Sequence, residues 1–209
     1  MDEVARTFDV WARNGRAERM EREHAKSVLK FLESVPFDSA FTFLDVGCGN
    51  GWVVRKAASE PLCRRAVGID KSKKMIIEAR KKTKDAKVEF IHTDLESLAR
   101  RKFDYVFSME SLYYADSVPA ALGKIYRLLH PGGRFFCGTD FYADNKVTAK
   151  WAGMLGIQMH LYSKREWRLL FEDAGFETRT RHITDPRDRR KWRRELGTLF
   201  ITGTRPKMR

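Results

Sequence analysis

The stretch FTFLDVGCGNG, residues 41–51, limits what this chain can fold into more than any other part of it. A short apolar run leads to an aspartate and ends in three glycines spaced G-x-G-x-G. The run has the length and composition of a buried strand. The glycines allow a tight turn and a close approach of backbone to ligand, ahead of a helix whose first amides lack partners. The spacing is not the G-x-G-x-x-G of dinucleotide folds. Asp45, just ahead of the glycines, also disfavours a diphosphate and suits a cationic or amine-bearing ligand instead.

The pattern around this loop alternates. Residues 16–35 carry an apolar stripe of Met20, Ala25, Val28, Leu29 and Leu32 between charges, which predicts a helix. After the loop come a helix over 51–59, a strand over 65–70, a basic helix over 72–83, and strands over 87–94 and 103–110. Val118, Ala121, Leu122, Ile125 and Leu129 predict a helix over 117–129, closed by HPGG (130–133), a turn signal before a strand over 134–140. SKRE (163–166) has the capping-box pattern ahead of WRLLFEDAG. Runs at 176–184 and 196–204 predict two more strands. Strands alternating with helices at this spacing imply an α/β class, a doubly wound and mostly parallel sheet. With no repeat or linker, the 209 residues are expected to form a single domain: a helical N-terminal extension (1–36), a core (37–142) and a substrate-side region (143–209).

Two further aspartates follow the first. Asp70 ends the second strand, 19 residues after Gly51, where a carboxylate can accept both hydrogen bonds of a ribose diol. Asp94 lies just past the third, positioned to face an adenine amine. Any single aspartate here is more often a cap or turn residue, but three at successive strand ends fit a ligand beyond the carboxyl edge of the sheet.

FLDVGCGNGW, VGIDKSKKMIIEARKK, FIHTDLESL, FDYVFSMESLYYAD and LLHPGGRFF together resemble the class I S-adenosylmethionine-dependent methyltransferases, of the methyltransferase type 11 kind, over about residues 41–140. The resemblance implies a seven-stranded sheet of order 3-2-1-4-5-7-6 with strand 7 antiparallel, and S-adenosylmethionine as cofactor with S-adenosylhomocysteine as product. It implies that Asp45 with Gly47, Cys48, Gly49 and Gly51 serves the methionine end, Asp70 with Lys71 the ribose, and Asp94 with Leu95 the adenine, Met109 lying beside them. The thiols of Cys48 and Cys137 are read as structural. SMESLYYAD then faces the transferred methyl, with Glu110, Tyr113 and Tyr114 as catalytic candidates; packing is the alternative for both tyrosines. An N-P-P-Y-type tetrapeptide is missing here, which departs from the amide- and adenine-methylating enzymes. His160, where this family places substrate contacts, is a further base candidate. The segment 5–16 resembles a lid over the cofactor, with Phe8 and Trp11 on the substrate side or packed on the body. No metal site is expected.

For the acceptor, the unusual bulk property is charge: 41 Lys and Arg against 28 Asp and Glu, +13 at pH 7. Such a balance favours polyanions, because each phosphate neutralised releases counterions. Three basic groupings contribute. The helix after the second strand reads as a solvated face, and the N-terminal helix as balanced by its glutamates. DPRDRRKWRREL (185–196) is expected on the same rim as the glycine loop. There Arg187, Arg189, Arg190 and Arg193 would clamp phosphates while Trp192 stacks on a base. The alternative is a short solvated helical turn with Trp192 packed inward. The leading expectation is therefore an RNA (tRNA or rRNA), a ribonucleoprotein or a translation-associated protein as acceptor. A small-molecule methyltransferase and a non-catalytic cofactor-binding protein are the alternatives. Strand 87–91 is expected at an exposed sheet edge, which some relatives cap with a small zinc-binding activator protein. No apolar run reaches the roughly 18–20 residues of a membrane span, no secretory signal is expected, and the three cysteines, Cys48, Cys63 and Cys137, suit a cytoplasmic setting.

Overall fold

The computed structural model describes residues 3–207. Seven strands form one sheet: β1 (Phe41–Val46), β2 (Cys63–Asp70), β3 (Val88–His92), β4 (Phe103–Met109), β5 (Leu129–Thr139), β6 (Glu177–Ile183) and β7 (Thr198–Thr204). Their order is β3-β2-β1-β4-β5-β7-β6. The first five pair in parallel, while β7 runs antiparallel to both β5 and β6. This is the predicted order and sense.

The apolar runs explain the layering. β1 sends Phe41 and Phe43 to one face and Leu44 and Val46 to the other, and all four are buried. A strand buried on both faces needs helices on both. Helices α2 (Arg16–Leu32), α3 (Trp52–Ala58) and α4 (Lys73–Lys81) cover the phenylalanine side through Val28, Phe31, Val54 and Ile76. Helices α5 (Val118–Leu128) and α7 (Lys164–Asp173) cover the other through Ile125, Trp167 and Phe171. The capping box is present in full: Ser163 accepts from the Glu166 amide while the Glu166 carboxylate accepts from the Ser163 amide. Helix α1 (Glu3–Arg13) and the short helices α6 (Trp151–Leu155) and α8 (Lys191–Glu195) complete the fold. Among the described residues no helix is long and apolar enough to cross a membrane.

Two local expectations change. HPGG is not a turn before β5 but a bulge inside it: Phe103 pairs with Leu129, and the next pair is Tyr105 with Arg134. Gly132, at φ +82°, reaches a backbone region that disfavours side chains, and its amide bonds to Arg205 O. Pairing therefore resumes instead of ending. The stretch 185–196 takes the inward alternative. It folds into α8, where Trp192 is 8% exposed and packs edge-on to Trp151, and Arg193 is 5% exposed. As a base-stacking ring and a phosphate clamp, these two are corrected: both belong to the interior.

Phe200 on β7 stacks on Phe31 of α2 at 4.1 Å and 5°, joining helix and sheet. Phe200→Ala should lower the unfolding free energy by about 3–5 kcal/mol in urea denaturation; a loss below about 1 kcal/mol would mean that α2 is not held by this contact.

Candidate functional site

A cavity lies beyond the carboxyl ends of β1, β2, β3 and β4, roofed by α1 and the first half of α2. Its floor is the glycine loop. The Gly47 and Cys48 amides both bond to Ile69 O at 2.9 Å, folding the loop back onto the end of β2. Gly47 sits at φ +73°, and a Cβ there would lie 1.9 Å from Ser111 Oγ, so glycine is required on both counts. Asp70 locks the arrangement: Oδ2 accepts from the Gly49 amide and Oδ1 from the Ser72 amide, each at 2.8 Å. Each oxygen retains a lone pair for a ligand hydroxyl.

The carboxylates around the cavity differ sharply. Asp45 is buried, and among the described residues no group donates to it; burial first, then the charge of Asp70, pushes its pKa well up. Burial also raises Asp70, to about 6, against the pull of the Ser72 and Gly49 amides. Asp94 goes the other way: the hydrogen bond from Ser97 holds it below the usual carboxylate range. An uncompensated buried acid beside a twofold-bonded one suits a ligand that brings a cation and hydroxyl donors together. The aminoacyl and ribose parts of S-adenosylmethionine answer that description. Leu95, Met109, Cys48 and Lys71 also line the cavity, and burial pushes the Cys48 thiol well above its ordinary value.

At the β4 end Glu110 occupies φ +53°, a region sparsely used by side chains that costs of order 1–3 kcal/mol. Its carboxylate accepts from the Tyr113 hydroxyl at 2.7 Å and from the Asp140 amide, while its own amide bonds to Gly138 O. Burial and the Asp140 charge raise Glu110 to about 8. Tyr113 is buried, its hydroxyl spent on Glu110, and burial drives its pKa up. Tyr114 does line the cavity, and its ring meets Phe8 of α1 edge-on at 5.4 Å.

The structure thus brings together Asp45, Gly47, Cys48, Gly49, Asp70, Lys71, Asp94, Leu95, Met109, Glu110 and Tyr114, while Gly51 at φ +76° packs against Phe90 and Ala79 and starts α3. Others lie elsewhere. Trp11 does not face the cavity; it is buried under α1 beside Ala17 and Met75, with the Arg16 guanidinium 3.8 Å from its ring. Phe8 is the lid residue that lines the cavity. His160 is outside too, its Nε2 donating to Ala115 O at 3.0 Å and its ring stacked on Tyr162, so it is not placed as a base. Arg187 and Arg189 are exposed on the 184–197 connection, and Arg190 is bidentate to Asp188 at 2.9 Å.

Several residues escaped the sequence reading. Asp9 latches the lid, accepting from Ser72 Oγ at 2.6 Å and from the Lys74 amide at 3.0 Å. Glu21 accepts from Asn50 at 2.7 Å, tying α2 to the glycine loop. Next to Glu110, the buried Asp140 carboxylate receives Arg193 Nη2 at 2.7 Å and Thr198 Oγ1 at 2.6 Å, with His24 Nδ1 at 3.5 Å. Only the tertiary fold assembles this cluster, from residues 24, 140, 193 and 198.

A second groove runs between α2 and the 184–197 connection. Arg19, Arg22, Lys26 and Lys30 line it on one exposed face of α2. Two of the helix's glutamates point elsewhere, Glu18 to Lys82 and Glu21 to Asn50. Glu23 lines the groove and pairs with Arg190, and Lys26 pairs with Asp185, so four bases of the helix face one of its glutamates there.

The methyltransferase-domain family matches residues 44–137. The malonyl-[acyl-carrier protein] O-methyltransferase of Priestia megaterium is 25% identical over 136 residues, 65% of this chain and 47% of that one. The chain spans about half the length of the first curated relatives it matches. Among solved structures, the complex between the Haloferax volcanii Trm112 methyltransferase activator and its methyltransferase superposes with a TM-score of 0.90. The identity is 30%, over 99% of both chains. Phosphoethanolamine N-methyltransferase 2 of Haemonchus contortus, solved with S-adenosyl-L-methionine, shares the fold with a TM-score of 0.70 and 19% identity, over 88% of this chain and 53% of that one.

Asp45 carries the cost of sharing a dry site with Asp70. Asp45→Asn should raise the unfolding free energy of the free protein at pH 8.5, read by urea denaturation over a series of pH values. The sign follows from the raised pKa: below the unfolded value both acids are neutral, so the gain should vanish by about pH 4. A stability difference independent of pH would contradict this electrostatic assignment.

Proposed function

Because the chain belongs to the class I S-adenosylmethionine-dependent methyltransferases, of the type 11 group, we propose that its methyl acceptor is RNA, and that it works with a small activator protein seated on β3. The full-length likeness to a methyltransferase solved with the Trm112 activator carries this reading. Charge and topology support it. β3 is an edge strand whose partners lie on one side only, and such edges are normally paired, covered or charged. The basic stripe of α2 extends about 16 Å from Arg19 to Lys30 and passes the mouth of the cavity, since Ala17, Met20, Glu21 and His24 of the same helix line that cavity.

The methyl donor is S-adenosylmethionine, which supplies a methyl group already activated on a sulfonium. In this reading Asp45 and the loop Gly47–Cys48–Gly49 hold the aminoacyl end, Asp70 takes the ribose hydroxyls, and Asp94 with Leu95 frames the base. Lys71 and Met109 complete the donor side. Glu110 and Tyr114 border the place where the acceptor atom arrives, while Tyr113 supports Glu110 from below. Lid residue Phe8, latched by Asp9, excludes water so that the donor meets only a docked nucleophile. Arg19, Arg22 and Lys30, with the exposed Arg187 and Arg189, guide the phosphates, and Asp188 takes up much of the charge of Arg190.

The curated relatives act on small or carrier-bound acceptors by name, which makes a small-molecule acceptor the second reading. The test is isotope-labelled methyl transfer by the chain co-expressed with a Trm112-type activator. Label in total RNA that ribonuclease removes supports the proposal; label that stays in small molecules, or in protein alone, overturns it. With tRNA as probe, replacing Arg19, Arg22 and Lys30 by alanine should flatten the plot of log affinity against log salt by about 2 to 3, about 0.7–0.9 per phosphate contact. Affinity for S-adenosylhomocysteine should not change. An unaltered slope removes the stripe from the acceptor site.

A further inference from the structure

The mechanism above leaves one buried titratable side chain at the cavity without a task. His24 on α2 is 8% exposed, lines the cavity, and points Nδ1 at Asp140 Oδ2, 3.5 Å away, without a completed hydrogen bond. Among the described residues, Nε2 makes no hydrogen bond. A buried polar group with no partner calls for an explanation. Here the geometry supplies one, because the ring bridges Asp140 and the region beside Glu110, at the carboxyl ends of β4 and β5.

We propose that His24, oriented by Asp140, is the general base that accepts the proton of the methyl acceptor. The other titratable candidates at that end are less suited. Both Glu110 oxygens accept hydrogen bonds, from the Tyr113 hydroxyl and the Asp140 amide. Burial raises Tyr114, so its hydroxyl stays neutral. His160 is turned to Ala115 O.

The groups facing His24 set its state. Asp140 just past β5 and Glu23 from α2 favour the charged ring; Arg193 from α8 and Arg190 ahead of it oppose that, and Glu110 approaches the same cluster through the Asp140 amide. Burial is the largest influence, and the net effect holds His24 below its ordinary pKa. At neutral pH the ring is an uncharged base. With Nδ1–H directed at Asp140, the Nε2 lone pair is left for the cavity. Catalytic hydrogen bonds are often long before the acceptor binds, and a shortening of about half an ångström would bring the Nδ1 contact into the usual range.

The step balances. The acceptor X–H attacks with its lone pair, a new X–C bond forms, and the C–S bond breaks with its electrons staying on sulfur, leaving a neutral thioether. The proton of X–H passes to Nε2. The imidazolium is then stabilised by Asp140 and releases its proton to solvent when the product leaves. Arg193 holds the Asp140 carboxylate in place through its Nη2 hydrogen bond, and is a positioning residue here. The inference rests on methyl transfer itself and not on RNA as the acceptor.

Two measurements decide it. In the full chain, nitrogen-15 spectra of the histidine rings at pH 7, with S-adenosylhomocysteine as probe, should show His24 neutral with Nδ1 protonated and Nε2 bare. Asp140→Asn should abolish that tautomer preference. In transfer to total RNA or total protein, whichever the wild type labels, His24→Gln should lower kcat by about 10²–10⁴-fold. KM and S-adenosylhomocysteine affinity should stay within threefold, and the acid limb of the pH profile, expected below 6.5, should disappear. His24→Ala is the check should glutamine substitute in part. An Nε2–H tautomer in the wild type, or kcat within threefold in both variants, overturns the proposal. If the wild type labels neither fraction, the acceptor reading fails while the ring spectra still decide the state of His24.

Discussion

The buried ion pair between Asp140 and Arg193 is the interaction on which the substrate end of this molecule depends. Asp140 directly follows β5 at full burial, and a lone carboxylate there would be several kcal/mol unfavourable. Arg193 at 2.7 Å and Thr198 at 2.6 Å make it tolerable. Arg193 also reaches the Glu23 carbonyl, so α8 is fastened at once to β5 and to α2. Breaking such a pair from one side typically costs about 3–5 kcal/mol, because the surviving charge is stranded. The backbone of Asp140 extends the same junction: its amide holds Glu110, and its carbonyl receives Thr148 and Asn145.

The donor end is organised differently. Among the described residues no group donates to Asp45, and Asp70 accepts from two amides. At one end of the cavity the buried carboxylates are thus met by donors of the protein, while the other end suits a ligand carrying positive charge and hydroxyls. The left-handed Glu110 stands between the two, strained but held by three hydrogen bonds. Strain kept at a junction between two sites is consistent with a function that needs both.

The strand order and the floor of the cavity were legible in the sequence because their signals are local. Apolar runs ending in glycine or aspartate mark strand ends, and the topology then places those ends on one rim. The 185–196 stretch shows where such reading stops. Arg193 and Trp192 look solvated in a run of charge, and their burial is decided by a carboxylate 53 residues away. His24 carries no local signal in the sequence, and its place beside Asp140 follows from how α2 packs. On α2 itself, alternating acids and bases read as neutral along the chain, yet the fold turns Glu18 to Lys82 and Glu21 to Asn50 and leaves Glu23 as the helix's one acid in the basic groove. HPGG carried a true turn signal, but pairing with Arg205 made it a bulge. In each case a contact distant in sequence outweighed a correct local preference.

The central claim is that the carboxylates at the ends of β1, β2 and β3 hold the methyl donor with its reacting end toward Glu110 and His24. A crystal structure of the chain with S-adenosylhomocysteine tests it most directly. The account predicts both ribose hydroxyls on Asp70, the amino group on the Asp45 side, and the thioether sulfur facing the Glu110–Tyr114 end of the cavity. A nucleoside bound in the basic groove along α2, or a sulfur directed away from Glu110, would contradict it.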